Sequence, residues 1–195
     1  MDDYEYEFLI DFRIYFKEMN KSRSLPDKDE IVARQEMLSE IMDAARDYYE
    51  HVNAYDYKQL CKNLIERGIR FVPVNDRTTK AKWTKLFAAP ISKEERKKVH
   101  FEQYRWHLFS YKLLDAMTND EAREAFNAEP KTSVYLFEQY SKNAYLVENA
   151  HLLRAEDFDH KFIPFSDFYF FSPEGKWTYI HTHEIMSGPY FYKLP

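Results

Sequence analysis

Glycine is scarce in this chain. Only three glycines occur in 195 residues, Gly68, Gly175 and Gly188, whereas average usage would give about fourteen. Loops that cradle phosphate groups need several glycines, because the backbone must approach the ligand closely. The sequence contains no Walker A motif and no Gly-x-Gly-x-x-Gly, and it also lacks the Gly-x-Ser-x-Gly elbow and the kinase signature set. The absence of the first two motifs disfavours the purine-nucleotide enzymes that use a Walker A loop or a Gly-x-Gly-x-x-Gly loop. The absence of the other two disfavours hydrolases with that elbow and protein kinases.

Cysteine and long apolar runs are equally scarce. The single cysteine, Cys61, cannot form an internal disulfide, which is typical of a reducing compartment. No apolar run approaches the roughly 18 residues of a membrane span. The segment Met1–Glu5 is acidic, the opposite of a signal peptide. We therefore expect a cytoplasmic protein with no membrane partner.

Positive charge is also in deficit, since the formal net charge is −5. A protein that binds a polyanion with its whole surface would be basic, so this balance disfavours nucleic acid as the partner. Residues 77–98 are a local exception. Eight basic residues there surround or follow Trp83: Arg77, Lys80, Lys82, Lys85, Lys93, Arg96, Lys97 and Lys98. A phosphate or nucleic-acid binder using this basic segment is one alternative function, although Glu94 and Glu95 favour a solvated helix face.

The residues present are enough to build a core. Apolar residues make up 45% of the chain and charged residues 31%, with 16 Phe and 16 Tyr. Helical periodicity predicts one helix over 1–19 and, after a polar connection over 20–28, a second helix that ends at about Val52. Together they would form an N-terminal helical hairpin. A third helix is predicted from Asp56 to Arg67, with Gly68 ending it. We expect two domains, a helical extension over 1–55 and an α+β domain over 56–195.

Strand patterns dominate the last third of the chain. Alternating runs joined by turn residues predict two hairpins, 134–148 and 168–183. Residues 101–115 are apolar on almost every side, which predicts a central buried helix across the sheet. The predicted fold class is α+β, with an antiparallel sheet built from the two C-terminal hairpins and packed with helices.

The run Trp177 to Glu184 carries the most informative chemistry. Strand alternation would place Trp177, Tyr179, His181 and His183 on one face, with Glu184 beside them. Two imidazoles at i and i+2 can chelate a metal if a third ligand arrives, and His107 and Glu148 are the candidates. The alternative is an aromatic core in which the imidazoles are hydrogen-bonded. We prefer this second interpretation and expect no cofactor. Cys61 is interpreted as a packing residue.

Several ordered motifs from about Cys61 onward resemble an uncharacterised bacterial family, the domain of unknown function numbered four-two-seven-five. The motifs are Trp106-His107-x-Phe109-Ser110-Tyr111, Ala125-Phe126-x-x-Glu129-Pro130, Tyr135-x-Phe137, Glu148-Asn149-Ala150, Trp177-Thr178-Tyr179-x-x-Thr182-His183-Glu184 and Gly188-Pro189-Tyr190-Phe191. The resemblance implies that these segments form one domain and supplies no catalytic residue. Residues 1–55 lie outside it, and Phe162–Phe165 departs from its pattern.

The function we favour from the sequence is a non-catalytic binding or interaction protein. Its partner would be another protein, for example a basic toxin neutralised by an immunity-like protein, or a second copy joined through the N-terminal helices. The alternatives are a metal-dependent enzyme using the His-x-His-Glu motif and a phosphate or nucleic-acid binder. The candidate binding face comprises Trp106, His107, Tyr111, Glu148, Trp177, Tyr179, His181, His183, Glu184 and Tyr190.

Overall fold

A computed structural model describes residues 28–158, 167–184 and 186–194. The helix predicted over 1–19 and the segment Phe162–Phe165 lie outside the described residues, so the predicted helical hairpin is described only in its second helix. The chain divides into two compact units between Val52 and Asn53.

One long helix, α1, runs from Lys28 to Glu66. The predicted separation into two helices near 53–55 is wrong, because Asn53, Ala54 and Tyr55 include no glycine or proline that would break the helix. In the first unit, α1 exposes Val32, Met37, Met42 and Tyr48 to solvent.

The end of α1 lies in the second unit, where Leu60 and Leu64 are buried. Gly68 follows the helix with a φ of +94°, and the Ile69 N–H donates to the Leu64 carbonyl at 3.1 Å. This is the left-handed C-terminal cap predicted from Gly68.

Within the described residues, seven strands form one antiparallel sheet in the order β1-β4-β3-β5-β6-β7-β2. Their bounds are β1 Arg70–Pro73, β2 Met117–Thr118, β3 Ser133–Glu138, β4 Ala144–Glu148, β5 Phe168–Phe171, β6 Trp177–His181 and β7 Tyr190–Lys193. Both predicted hairpins are present, and they join through the β3–β5 pairing. The predicted α+β class with an antiparallel sheet is confirmed.

Helices cover both faces of this sheet. The described helices after α1 are α2 Asp76–Phe87, α3 Lys93–Lys98, α4 His107–Ser110 and α5 Asn119–Ala128, with 3₁₀ turns at Ala150–Leu152 and Ala155–Phe158. Strand β5 shows the consequence, because all four of its residues are buried. Phe168 and Phe170 pack with α5 and the end of α1 on the first face, and Tyr169 and Phe171 pack with α2 on the second face. No helix in the described residues is long and apolar enough to span a bilayer.

The segment predicted as a central helix, 101–115, is mostly not helical. Only α4 is helical there; a left-handed residue precedes the segment at His100 (φ +52°), and another interrupts it at Lys112 (φ +55°). The prediction of burial was sound, since Phe101, Trp106, Leu108 and Phe109 are buried on the second face. An irregular segment lying on the sheet buries residues without helical periodicity, which explains why the pattern was apolar on almost every side.

Candidate functional site

The structure divides the candidate binding face between the two sides of the sheet. Trp106, His107, Tyr111, His183 and Tyr190 are brought together on the second face. The ring centroid of Trp106 lies 4.4 Å from His107, 6.3 Å from His183 and 6.4 Å from Tyr190. His107 contacts Tyr111 at 5.2 Å. Glu184 is close enough for its carboxylate to add to burial in raising the pKa of Tyr190.

The remaining candidates lie elsewhere. Trp177 and Tyr179 are buried on the first face, where they stack on Phe191 and Phe126. The ring of His181 lies 6.3 Å from that of Phe168, a first-face residue. Glu148 forms an ion pair with Arg70 at 3.1 Å on the sheet edge. The prediction that His181 and His183 share a face is therefore wrong.

The end of β6 explains this divergence. The strand ends at His181, so the alternation does not extend to His183. The Thr182 hydroxyl donates to the carbonyls of Glu184 and Ser187, which bends the chain immediately after the strand. The His183 ring then contacts Tyr104 and Trp106 on the second face.

A buried carboxylate fixes His183. Asp167 precedes β5, and its side chain is 0% exposed. Its Oδ1 accepts the His183 backbone N–H at 2.9 Å and lies 2.8 Å from the ring Nδ1. Its Oδ2 accepts the Trp106 Nε1–H at 3.2 Å. Three groups of the second face therefore converge on one carboxylate, and the ring has Nδ1 engaged and Nε2 pointing away from Asp167.

His107 is held in a comparable way. Its Nδ1 lies 2.6 Å from the Val99 carbonyl, so this nitrogen carries the proton as the donor. The ring of Tyr104 contacts both imidazoles, with centroids 5.0 Å from His107 and 5.7 Å from His183. Two oriented imidazoles thus flank one tyrosine.

Exposed tyrosines extend this group towards solvent. Tyr140 is 63% exposed, contacts Tyr104 at 6.1 Å between ring centroids, and donates its hydroxyl to the Gln103 carbonyl at 2.6 Å. Tyr111 is 55% exposed and contacts His107. We call the connected set Tyr104, His107, Tyr111, Tyr140 and His183 the aromatic patch.

A basic hollow of about 550 Å³ borders the aromatic patch. Lys93, Arg96, Lys97 and His100 line it together with Phe101, Glu102 and Gln103. Gln103 connects the two regions, because its carbonyl accepts the Tyr140 hydroxyl. Helix α3 begins with a capping box formed by Ser92 and Glu95, and Arg96, Lys97 and Lys98 lie in its last turn.

The basic segment 77–98 is therefore two different structures. In α2, Lys80 donates to the Ser141 carbonyl at 2.6 Å, and Lys82 donates to the Pro173 carbonyl at 2.9 Å. These ammonium groups tie α2 to the turns of the sheet. Lys93, Arg96 and Lys97 of α3 instead line the hollow.

Lys131 and Cys61 have shifted pKa values, but their contacts indicate that they stabilise the fold. Burial, with the Arg154 charge adding to it, lowers the pKa of Lys131 to about 8. Its Nζ donates to the Phe126 carbonyl at 2.6 Å and lies 4.4 Å from the Phe126 ring centroid, so it caps the end of α5. Burial raises the pKa of the Cys61 thiol, which disfavours a reactive thiolate.

Sequence reasoning missed Asp167, Tyr104 and Tyr140. A carboxylate placed directly before the fully apolar run Phe168–Phe171 was a usable signal, because such a residue enters the core only with hydrogen-bond donors around it. Tyr104 lies in the segment 101–115, where a buried helix was predicted and where residue 104 is not helical. Tyr140 belonged to a predicted strand and carried no distinguishing pattern.

Comparisons with known proteins give a family and no function. No curated protein and no solved structure matches the chain. Residues 58–191 match the family described as Domain of unknown function (DUF4275), and the chain therefore belongs to that family.

Proposed function

We propose that this protein is a non-catalytic binding protein that contacts another protein through the aromatic patch. The observation that carries the proposal is the exposure of Tyr111 and Tyr140, at 55% and 63%, on a connected group of rings. Tyrosine supplies a large contact area with few rotatable bonds and is enriched among the residues that dominate binding energy.

The patch is organised before any partner binds. Asp167 orients His183, the Val99 carbonyl orients His107, and the Gln103 carbonyl holds Tyr140. Side chains already fixed by such contacts lose little conformational entropy on association. This supports a recognition surface whose shape is set by the fold.

Charge favours an acidic partner surface over the basic toxin considered from the sequence. The hollow beside the patch contributes Lys93, Arg96 and Lys97 against one carboxylate, Glu102. Opposite charge across an interface raises the association rate and excludes wrong partners.

We also propose that the protein belongs to a bacterial cytoplasm, because it has a single cysteine and because of its family resemblance.

The metal-enzyme alternative has less support. His181 and His183 face opposite sides of the sheet, and Glu148 pairs with Arg70. Within the part of the chain that the structure describes, no group of three or more His, Cys, Asp or Glu side chains is placed to hold an ion. Self-association through the N-terminal helices stays a separate prediction, to be tested by the sedimentation coefficient.

Selection from a random peptide display library tests the proposed function. The immobilised full chain is the bait, and one enriched peptide is synthesised and titrated by calorimetry. Tyr111→Ser with Tyr140→Ser should weaken this peptide at least about tenfold. The matched control is Tyr48→Ser with Tyr55→Ser, because these tyrosines are comparably exposed on α1 at 48% and 62%. The proposal fails if no peptide is enriched or if both double variants bind equally well.

A further inference from the structure

The basic residues of the hollow are not neutralised by the part of the chain that the structure describes. Lys93, Arg96 and Lys97 form no ion pair among the described residues. The nearby Glu95 carboxylate is bound to the Ser92 hydroxyl at 2.7 Å and to the Ser92 N–H at 3.1 Å. Glu102 lines the hollow but leaves it with an excess of positive charge.

Two guanidinium groups are positioned by one buried ring. The Arg96 and Arg105 guanidinium carbons lie 5.6 and 5.8 Å from the centroid of Phe101, which is 1% exposed. The Nε atoms of both arginines are buried without a hydrogen-bond acceptor among the described residues. Stacking therefore orients these side chains, and no described carboxylate forms an ion pair with them.

A structural explanation accounts for only part of this arrangement. Cations in the last turn of α3 interact favourably with the helix dipole, and exposed lysines are normally solvated. Neither effect requires two arginines on one ring, nor a hollow of about 550 Å³ between the basic side chains. Lys80 and Lys82 of α2 show the contrast, since they donate to carbonyls of the fold.

We propose that the basic hollow binds a phosphorylated side chain of the protein partner, whose neighbouring residues contact the aromatic patch. This inference rests on the proposed function. A phosphate monoester carries about −1.5 to −2 charge and three acceptor oxygens, which matches the several cations that line this hollow better than a single carboxylate does. Arginine clusters are a common means of recognising such groups.

Nucleic acid fits the same surface less well. A strand needs cations along a track, with stacking platforms between them. The cations here surround a single hollow, and Phe101 is buried beneath arginines where no base can stack. The net charge of −5 also opposes an extended polyanion.

Degenerate peptide pools labelled with fluorescein test the inference by anisotropy on the full chain. Three pools fix phosphoserine, phosphothreonine or phosphotyrosine at the centre, and three matched pools carry the unmodified residue. We expect at least one phosphorylated pool to bind about tenfold more tightly than its matched pool, and inorganic phosphate at millimolar concentration to compete. Arg96→Gln with Lys97→Gln should abolish the preference for the phosphorylated pool. The control, Lys85→Gln with Lys142→Gln, removes the same amount of charge at two exposed lysines outside the hollow and should retain the preference.

The possible outcomes separate this inference from the proposed function. Equal binding of phosphorylated and unmodified pools overturns the inference, as does a preference that survives Arg96→Gln with Lys97→Gln in a protein of unchanged melting temperature. Inorganic phosphate bound as tightly as the best pool would identify a free anion as the ligand and also overturn it. If Tyr111→Ser with Tyr140→Ser leaves peptide binding unchanged while the phosphate preference persists, the proposed function fails and the hollow stands as an anion site.

Discussion

Replacing Asp167 by Asn tests whether one buried carboxylate holds the aromatic patch in place. The change keeps the size of the side chain but turns one acceptor oxygen into a donor. Oδ1 accepts the His183 backbone N–H and faces Nδ1, and Oδ2 accepts the Trp106 Nε1–H. Whichever way the amide is oriented, an NH₂ group meets a donor.

The magnitude follows from the loss of one charge-assisted hydrogen bond and from one buried donor left without an acceptor. Hydrogen bonds to charged groups contribute about 1.5–3 kcal/mol, and an unsatisfied buried group costs about 1–3 kcal/mol. Relaxation offsets part of the sum, so we expect Asp167→Asn to lower the free energy of unfolding by about 2–4 kcal/mol. Trp106 is 2% exposed, so water cannot readily replace the lost acceptor.

Urea unfolding at pH 7, followed by far-UV circular dichroism, measures the change, and an unaltered m-value confirms that the two states are comparable. Trp106→Phe removes the opposing donor, so Asp167→Asn should cost about 1–2 kcal/mol less in that background. A cost below about 1 kcal/mol, or additive effects of the two substitutions, would refute the claim that the buried Asp167 carboxylate holds the aromatic patch in place.

The remaining predictions concern stability and domain organisation. Phe109→Ala should cost about 3–5 kcal/mol in urea unfolding, because the ring is 4% exposed and stacks on Tyr190 at 5.7 Å; a cost below 1 kcal/mol would place it outside the core. The contribution of Lys131 to stability, taken as the difference between the unmodified protein and Lys131→Met, should rise between about pH 8 and pH 10 by on the order of 2 kcal/mol, because burial lowers the pKa of Lys131 to about 8 and the unfolded chain binds the extra proton in that window. The difference cancels the opposite effect of groups such as Tyr169, whose pKa burial raises in both proteins, and a difference that does not change with pH would contradict the assignment to Lys131. A chain beginning near Tyr55 should still melt cooperatively if residues 1–55 are a separable extension, and a molten product would contradict that division.

The two hairpins of the sheet were predictable because their signals are local, whereas β1, β2 and β7 lie outside the predicted hairpins. Alternating apolar residues and turn residues fixed both hairpins, and the β3–β5 pairing joins them. The segment 101–115 was not predictable from periodicity, since an irregular chain wrapped on a sheet buries residues for reasons of tertiary contact. Left-handed residues at His100 and Lys112 mark its start and its break, and neither is a glycine that would have signalled them.

The candidate site depends on the bend of the chain after His181, which the sequence pattern of β6 does not predict. Continued alternation would have placed His183 with His181, Tyr179 and Trp177 on the first face. The Asp167 carboxylate instead accepts the His183 backbone N–H at 2.9 Å, beyond the last residue of the strand.

This interaction joins residues 16 positions apart in the sequence, and it requires Asp167 to be desolvated beside Trp106. A buried carboxylate is stable only when donors surround it, so the acceptor recruits the backbone of residue 183 and turns its ring towards Tyr104. The same interaction that completes the core therefore separates the two histidines and places one of them in the aromatic patch. The direction of the His183 side chain thus decides between the two functions at this position. On the first face it would join His181 as a metal ligand, and on the second face it joins Tyr104 in the surface proposed to bind a partner.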